Sequence, residues 1–255
     1  MPPSSKQRGA ELATRKRVDQ LLVERGLAGD LDQALRLVMA GSVLAGTQRI
    51  DKPGQSLDVD VPLVLRPADR YVSRGGLKLE HALVALSVDP TGMVALDAGC
   101  STGGFSDCLL SHGARRIYAV DVGYGQLAWK LRQDPRVVVM ERTNIRSVKR
   151  EHLDPAPQLV VADLSFVSLH GLLAPLGALA GQRGRILALV KPQFEVGRGD
   201  LVGGVVEDQG ARARAIAEVE AAAARAGLTV LGRQDSPIAG ADGNLECFLL
   251  LVRAG

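Results

Sequence analysis

Residues 94–110 read VALDAGCSTGGFSDCLL. An apolar, strand-like run enters a turn with three glycines, and a helix-like stretch follows. Gly99, Gly103 and Gly104 let the backbone turn sharply and approach a ligand closely. The turn feeds a helix N-terminus, where free N–H groups gather. Asp121 ends the next strand-like run, YAVDVG, 22 residues after Gly99. An acid there can accept hydrogen bonds from ribose hydroxyls. Together these features describe a site for an adenosine-type cofactor, against the alternative of a purely structural turn. Gly99 and Gly103 are four apart, which is not the dinucleotide spacing G-x-G-x-x-G. That favours S-adenosylmethionine over NAD. Asp97 fits the same ligand, whose amino-acid end carries an ammonium group.

Outward from this turn, strand-like runs alternate with helical stretches: MVALDAG, RRIYAVDVG, RVVVMERTN, QLVVADLSF, GRILALVKPQF, LTVLGRQ and NLECFLLLV. Such alternation predicts an α/β fold with a parallel, doubly wound sheet. The last two runs have only a short connection, about residues 235–243. This predicts an antiparallel hairpin at the end of the sheet. Ligands of such sheets bind beyond the C-terminal ends of the strands.

Polar residues stand at those ends. Asp163 follows LVVA. Lys191 follows LALV in the stretch LALVKPQFE, residues 187–195, where Pro192 stops the strand. Glu246 sits in NLECFLLLV, and Lys78 lies on a helix expected in YVSRGGLKLEHAL. Each has an ordinary reading as a snorkelling lysine, a helix cap or a solvated end. All four on a sheet that already carries a cofactor turn point to chemistry. Thr143 and Asn144, after the third strand, are placed to face an adenine. Arg142, Arg146, Lys149 and Arg150 cluster beside them, either as an RNA contact or as a solvated helix face. The glycine-rich loop 196–208 reads as a closing flap or an ordinary connection.

The first part of the chain is different. Residues 1–17 hold five basic side chains, Lys6, Arg8, Arg15, Lys16 and Arg17, and one acid, Glu11. Val18, Leu21, Leu22 and Leu27 have helical spacing closed by Gly26. A second helix is expected over 30–40, with Ala34, Leu35, Val38 and Met39 inward and Gly41 as its cap. VLAG and a KPG turn suggest short strands. Residues 18–70 carry six basic and eight acidic residues, a net −2.

LDAGCSTGGF, VADLSF, VKPQFE and GNLECF resemble segments of the FtsJ-like ribose 2′-O-methyltransferases. Lys78, Asp163, Lys191 and Glu246, in that order, are similar to that family's catalytic tetrad. YVSRGGLKL and VKPQFEVGRG are closer still to the TlyA, or hemolysin A-like, family. The resemblance runs over nearly the whole chain from about residue 17. It implies a Rossmann-like, S-adenosylmethionine-dependent methyltransferase sheet, mostly parallel with an antiparallel last strand. It implies a small N-terminal α+β RNA-binding module of the S-four type. The expected boundaries are a basic tail at 1–16, the module at 17–66, a linker at 67–76 and the methyltransferase domain at 77–255.

The implied activity is ribose 2′-O-methylation of cytidine in ribosomal RNA. The implied catalytic residues are Lys78, Asp163, Lys191 and Glu246. The implied cofactor contacts are Asp97, Gly99, Ser101, Thr102, Gly103, Gly104, Phe105, Asp121, Asn144 and Asp163. The RNA contacts are Arg17, Arg36, Arg49, Lys52 and Arg74. Lys191, with Lys78 close by, is expected to accept the ribose hydroxyl proton or to stabilise the alkoxide, held by Asp163. Glu246 is expected to orient Lys78 or the ribose. The module departs from its pattern. Asp30-Leu31 stands where a Ser-Arg pair usually opens the second helix, and Leu44-Ala45-Gly46 where Val-Asn-Gly is usual.

Composition narrows the remaining choices. Of the 255 residues, 46% are hydrophobic and 3% aromatic, and the net charge is +3. Scarce aromatics argue against an RNA surface built on many stacked rings. Cys100, Cys108 and Cys247 lack disulfide or zinc spacing, so no metal is expected. No apolar run approaches a membrane span and the N-terminus has no signal core, which predicts a soluble cytoplasmic protein. The other readings are an RNA-binding ribosome-assembly protein without catalysis, a membrane-active hemolysin and an NAD-dependent oxidoreductase.

Overall fold

The structure is a computed structural model that describes residues 14–50, 52–66, 69–240 and 242–253. Lys6 and Arg8 of the basic tail lie outside them. The chain divides into two units between Arg70 and Tyr71. That division falls within the 67–76 stretch read as a linker.

The first unit contains β1 (Arg15–Arg17), α1 (Val18–Glu24), α2 (Leu31–Met39), β2 (Val43–Ala45), β3 (Gln48–Arg49), β4 (Ser56–Asp58) and β5 (Leu63–Leu65). β1 pairs antiparallel with β4, and β3-β2-β5 form a second antiparallel sheet. Asp30 opens α2 as its cap, accepting from the Gln33 N–H at 2.6 Å. Gly41 closes it at φ +67°, where a side chain would be strained. Val18, Leu22, Ala34, Val38, Val43 and Ile50 form the core.

Leu35 and Met39 do not point inward as expected; each is 47% exposed. Leu31, Leu35 and Met39 form one i, i+4, i+8 row, while the buried row is Ala34 and Val38. A nine-residue helix over two small sheets has core to cover only one of these rows.

The second unit contains α3 (Gly75–Ala85), β6 (Val94–Ala98), α4 (Gly104–Ser111), β7 (Arg116–Val120), α5 (Trp129–Arg132), β8 (Val137–Met140), β9 (Leu159–Ala162), α6 (Leu173–Ala180), β10 (Arg185–Val190), α7 (Gln209–Arg225), β11 (Leu228–Asp235) and β12 (Cys247–Arg253). The sheet order is β11-β12-β10-β9-β6-β7-β8. Neighbours from β10 through β8 pair in parallel, and β12 runs antiparallel to both β10 and β11. This is the Rossmann-like sheet expected. β11 and β12 form the expected antiparallel pair at the end of the sheet, with β11 at the border and β12 inside it. Its burial explains the order. Cys247 through Leu251 are all buried, which suits a strand covered on both faces. After the buried Leu228, β11 alternates exposed and half-buried positions, as an edge strand does.

Side chains alternate across the sheet. Val94, Leu96 and Ala98 face a core completed by Leu173 and Leu176 of α6 and by Ile216 and Val219 of α7. Ala95 faces the other core, with Leu79 of α3, Leu109 of α4 and Leu131 of α5. The same alternation turns Asp97 toward α4. Among the described residues, no helix is long and apolar enough to cross a membrane.

Candidate active site

β6, β7, β9 and β10 all end at one edge of the sheet, and the next residues are Gly99, Asp121, Asp163 and Lys191. β12 runs the opposite way, so its beginning reaches that same edge and brings Glu246 with it. Lys78 arrives from α3. The structure joins these groups as two ion pairs. Lys78 Nζ lies 2.5 Å from Glu246 Oε2, and Lys191 Nζ lies 2.6 Å from Asp163 Oδ1. Lys191 also donates to Ser165 Oγ at 2.8 Å. An ammonium has three donors, so Lys191 keeps one for a further partner. Both lysine side chains are about nine-tenths covered, and all four residues line one cavity of about 260 Å³.

A second cavity of about 470 Å³ adjoins it and shares Gly99, Ser101 and Asp163. Asp121 shapes its wall. Its Oδ2 accepts from the Ser101 N–H at 2.8 Å and its Oδ1 from the Gly123 N–H at 2.7 Å. Each oxygen retains a lone pair for a ligand hydroxyl. Asn144 accepts from the Arg146 N–H at 3.0 Å through its carbonyl oxygen, which leaves its amide donors for the cavity. Thr143 lines the same wall.

Asp97 is fully buried, and its Oδ2 accepts from the Ser106 N–H at 3.0 Å and the Ser106 hydroxyl at 2.7 Å. Its Oδ1 has no protein partner. Burial pushes its carboxyl up to about 7; the Ser106 hydrogen bonds oppose that shift and the nearby Asp163 charge adds to it. A buried, unpartnered acceptor in the wall of the smaller cavity fits a cationic group on a ligand.

Gly99 and Gly104 of the glycine turn line the smaller cavity, and all three glycines also meet close packing within the protein. Gly99 has φ +80°, and a Cβ there would meet the Asp163 carbonyl at 2.5 Å. At Gly103 a Cβ would enter the Leu131 side chain, and at Gly104 the Ser73 hydroxyl. The glycines therefore let the turn pack against its own protein, and Gly99 and Gly104 also present bare backbone to the cavity. Ser101 and Thr102 line the smaller cavity. Phe105 touches it too but is a core ring, 5.9 Å from Phe248 between centroids.

Of the expected RNA contacts, Arg49 and Lys52 line one surface cavity that also includes Gly54, next to the Arg17 guanidinium. Arg17 is held by Asp19 through two hydrogen bonds, at 2.6 and 3.1 Å. Arg49 reaches Asp69 at 3.5 Å. Arg36 and Lys52 are exposed. Arg74 stands at the start of α3 beside the smaller cavity. The basic cluster does not form one surface. Arg150 donates to the Pro157 and Leu179 carbonyls, Arg142 lies over the Tyr124 ring at 4.2 Å, and Arg146 lines the larger cavity. In loop 196–208, a bridge between Val202 and Val205 folds the tip, and the buried Asn244 holds the Gly204 carbonyl and the Val206 N–H.

Two neighbours of the site were not singled out from sequence. Ser165 binds Lys191. Phe166 is 92% exposed at the rim of the larger cavity, at φ +62°, with its ring 5.4 Å from Phe194. Its signal was there: an aromatic three residues past a strand mouth in a chain with few aromatics.

Residues 71–253 match the model of the FtsJ-like methyltransferases. The chain is 47% identical over 243 residues to the 16S/23S rRNA (cytidine-2′-O)-methyltransferase TlyA of Mycobacterium tuberculosis, covering 94% of this chain and 91% of that one. It is 48% identical over 241 residues to YqxC of Bacillus subtilis, a candidate rRNA methyltransferase, covering 93% and 85%. A solved structure of a candidate hemolysin from Streptococcus thermophilus superposes with a TM-score of 0.72 at 41% identity, covering 95% and 90%. The chain belongs to the TlyA, or hemolysin A-like, family of FtsJ-like methyltransferases.

Proposed function

We propose that this protein transfers a methyl group from S-adenosylmethionine to the ribose 2′-hydroxyl of a cytidine in ribosomal RNA. The observation that carries the reading is the pair of lysine–carboxylate contacts in a cavity that adjoins a second, nucleoside-sized one. S-adenosylmethionine, when bound, supplies an electrophilic methyl carbon on a cationic sulfur. Asp97 Oδ1 would take its ammonium, Asp121 its ribose hydroxyls and Asn144 its adenine edge.

The remaining N–H of Lys191 would serve the acceptor hydroxyl. It stabilises the negative charge that grows on oxygen as the C–O bond forms and the C–S bond breaks. Asp163 and Ser165 fix that lysine, and Glu246 fixes Lys78. Alignment of this kind supplies several kcal/mol of the barrier. The hydroxyl proton goes to Lys191 if its amine is neutral, and to water if it is the ammonium. Lys191→Arg separates the routes: a pH–rate profile matching wild type overturns the general-base route.

Phe166 offers an exposed ring beside the site, and stacking one base on it contributes about 1–3 kcal/mol. The first unit would hold RNA as an S-four-type module through Arg36, Arg49 and Lys52, with Arg74 near the reacting ribose. Arg17, already held by Asp19, contributes less. A ribosomal substrate places the protein in the cytoplasm.

The test is transfer of a labelled methyl group from S-adenosylmethionine to purified small and large ribosomal subunits, with Lys191→Ala as control. Label on a ribose 2′-oxygen, lost in the variant, is expected. No label on either subunit, from folded protein that binds the cofactor, overturns the proposal.

A further inference from the structure

Lys191 and Asp163 lie on two loops that leave neighbouring parallel strands, β9 and β10. The contacts between those loops form a series. Lys191 holds Asp163 and Ser165. Phe194 packs on Phe166. Glu195 then closes the far end. Its Oε2 accepts from the Ser168 hydroxyl at 2.6 Å and its Oε1 from the Leu169 N–H at 2.9 Å, with the His170 imidazole 3.8 Å away. The Glu195 side chain is 1% exposed. A carboxyl so deeply covered, with both oxygens engaged by one neighbouring loop, is held for geometry rather than for solubility.

We infer that Glu195 is a positioning residue, which clamps the loop of Asp163 to the loop of Lys191 and so sets the catalytic ion pair and one wall of the larger cavity. This inference rests on the proposed function for its catalytic part. Leu164, Ser165, Phe166 and Val167, which line that cavity, lie between Asp163 and the clamped corner at Ser168. Releasing the corner leaves the Leu169 N–H buried without an acceptor and frees the segment between its two anchors. A small displacement of a catalytic group is costly to rate even when the protein stays folded. The glutamate itself touches no reacting atom.

The experiment compares Glu195→Ala, Glu195→Asp and Glu195→Gln. Glutamine keeps a carbonyl for the Leu169 N–H and an amide that donates to Ser168 Oγ, so it retains the clamp without the charge. The shorter aspartate cannot span the gap. Alanine and aspartate are expected to lower kcat by about tenfold or more with little change in KM for the ribosomal subunit, and to weaken S-adenosylmethionine binding severalfold. Glutamine is expected to restore most of both. Amide hydrogen exchange over residues 163–170 should rise in alanine and aspartate but not in glutamine. Wild-type kcat in the alanine variant, or a glutamine variant as impaired as alanine, overturns the inference. If alanine fails to fold, aspartate against glutamine decides on the same readouts. Exchange and cofactor binding need no methyl transfer, so they judge the clamp even if wild type modifies neither subunit, the result that would sink the function proposal.

Discussion

Asp97 has one carboxyl oxygen tied to Ser106 and the other unpartnered inside the fold. Its carboxyl is raised from an ordinary 3.8 to about 7 by burial, so the folded state binds a proton that the unfolded chain releases. The stabilisation this gives is fully present below 3.8 and is lost as pH rises through about 7. Asp97→Asn should remove that slope, so urea midpoints of variant and wild type should diverge as pH rises through this window, the variant becoming the more stable. The same titration predicts that S-adenosylmethionine binds wild type more tightly above pH 7 than below, measurable by calorimetry, and that Asp97→Asn flattens this dependence.

The buried Lys78–Glu246 pair gives a second residue-scale expectation. Glu246→Ala strands a covered ammonium and should cost about 3–5 kcal/mol in denaturant unfolding, while replacing both residues by Met and Leu should recover most of it without restoring activity. Asp163, Lys191 and Glu246 were legible as candidates because polar residues interrupt apolar runs at the ends of strands, and Lys78, on α3, through the family resemblance. Glu195 was not, because its role depends on which loop lies opposite. Nor was the fate of Arg150, whose partners are carbonyls far away in sequence.

At the scale of elements, the turn between β6 and α4 is the most constrained piece. Gly99→Ala would force a left-handed alanine against the Asp163 carbonyl. It should destabilise by about 1–3 kcal/mol and shift the β9 mouth, read as a lower melting temperature together with weaker cofactor binding. The alternation of strands and helices was legible because apolar runs of strand length are separated by helical stretches. The place of β12 between β10 and β11 was not, since pairing order is a property of the assembled sheet. The outward Leu35 and Met39 were misread for a related reason. Periodicity finds both apolar rows of α2, and only the packing says which one meets the core.

At the scale of the whole molecule, the two units have separate cores: Val18, Leu22 and Ile50 belong to one, and the sheet and its helices to the other. A fragment starting at Tyr71 should therefore bind S-adenosylmethionine with nearly the affinity of the full chain, by calorimetry, yet lose methyl transfer to ribosomal subunits. Transfer at the full rate would remove the RNA-holding role assigned to the first unit. The two-part organisation was legible from the change in texture near residue 92. The division between Arg70 and Tyr71 falls within the 67–76 stretch read as a linker; that Tyr71 already packs in the second unit, buried against the Gly76 backbone, was not legible.

The reversed direction of β12 also has a consequence in time. Lys78 and Glu246 are 168 residues apart along the chain. Translation at about 5–20 residues per second separates their synthesis by roughly 8–35 s. For that interval Lys78 has been made and its buried partner has not. The Lys78–Glu246 pair therefore forms only after β6 through β11 have been made. A chain cut short before Glu246 would leave the covered Lys78 ammonium without its buried partner.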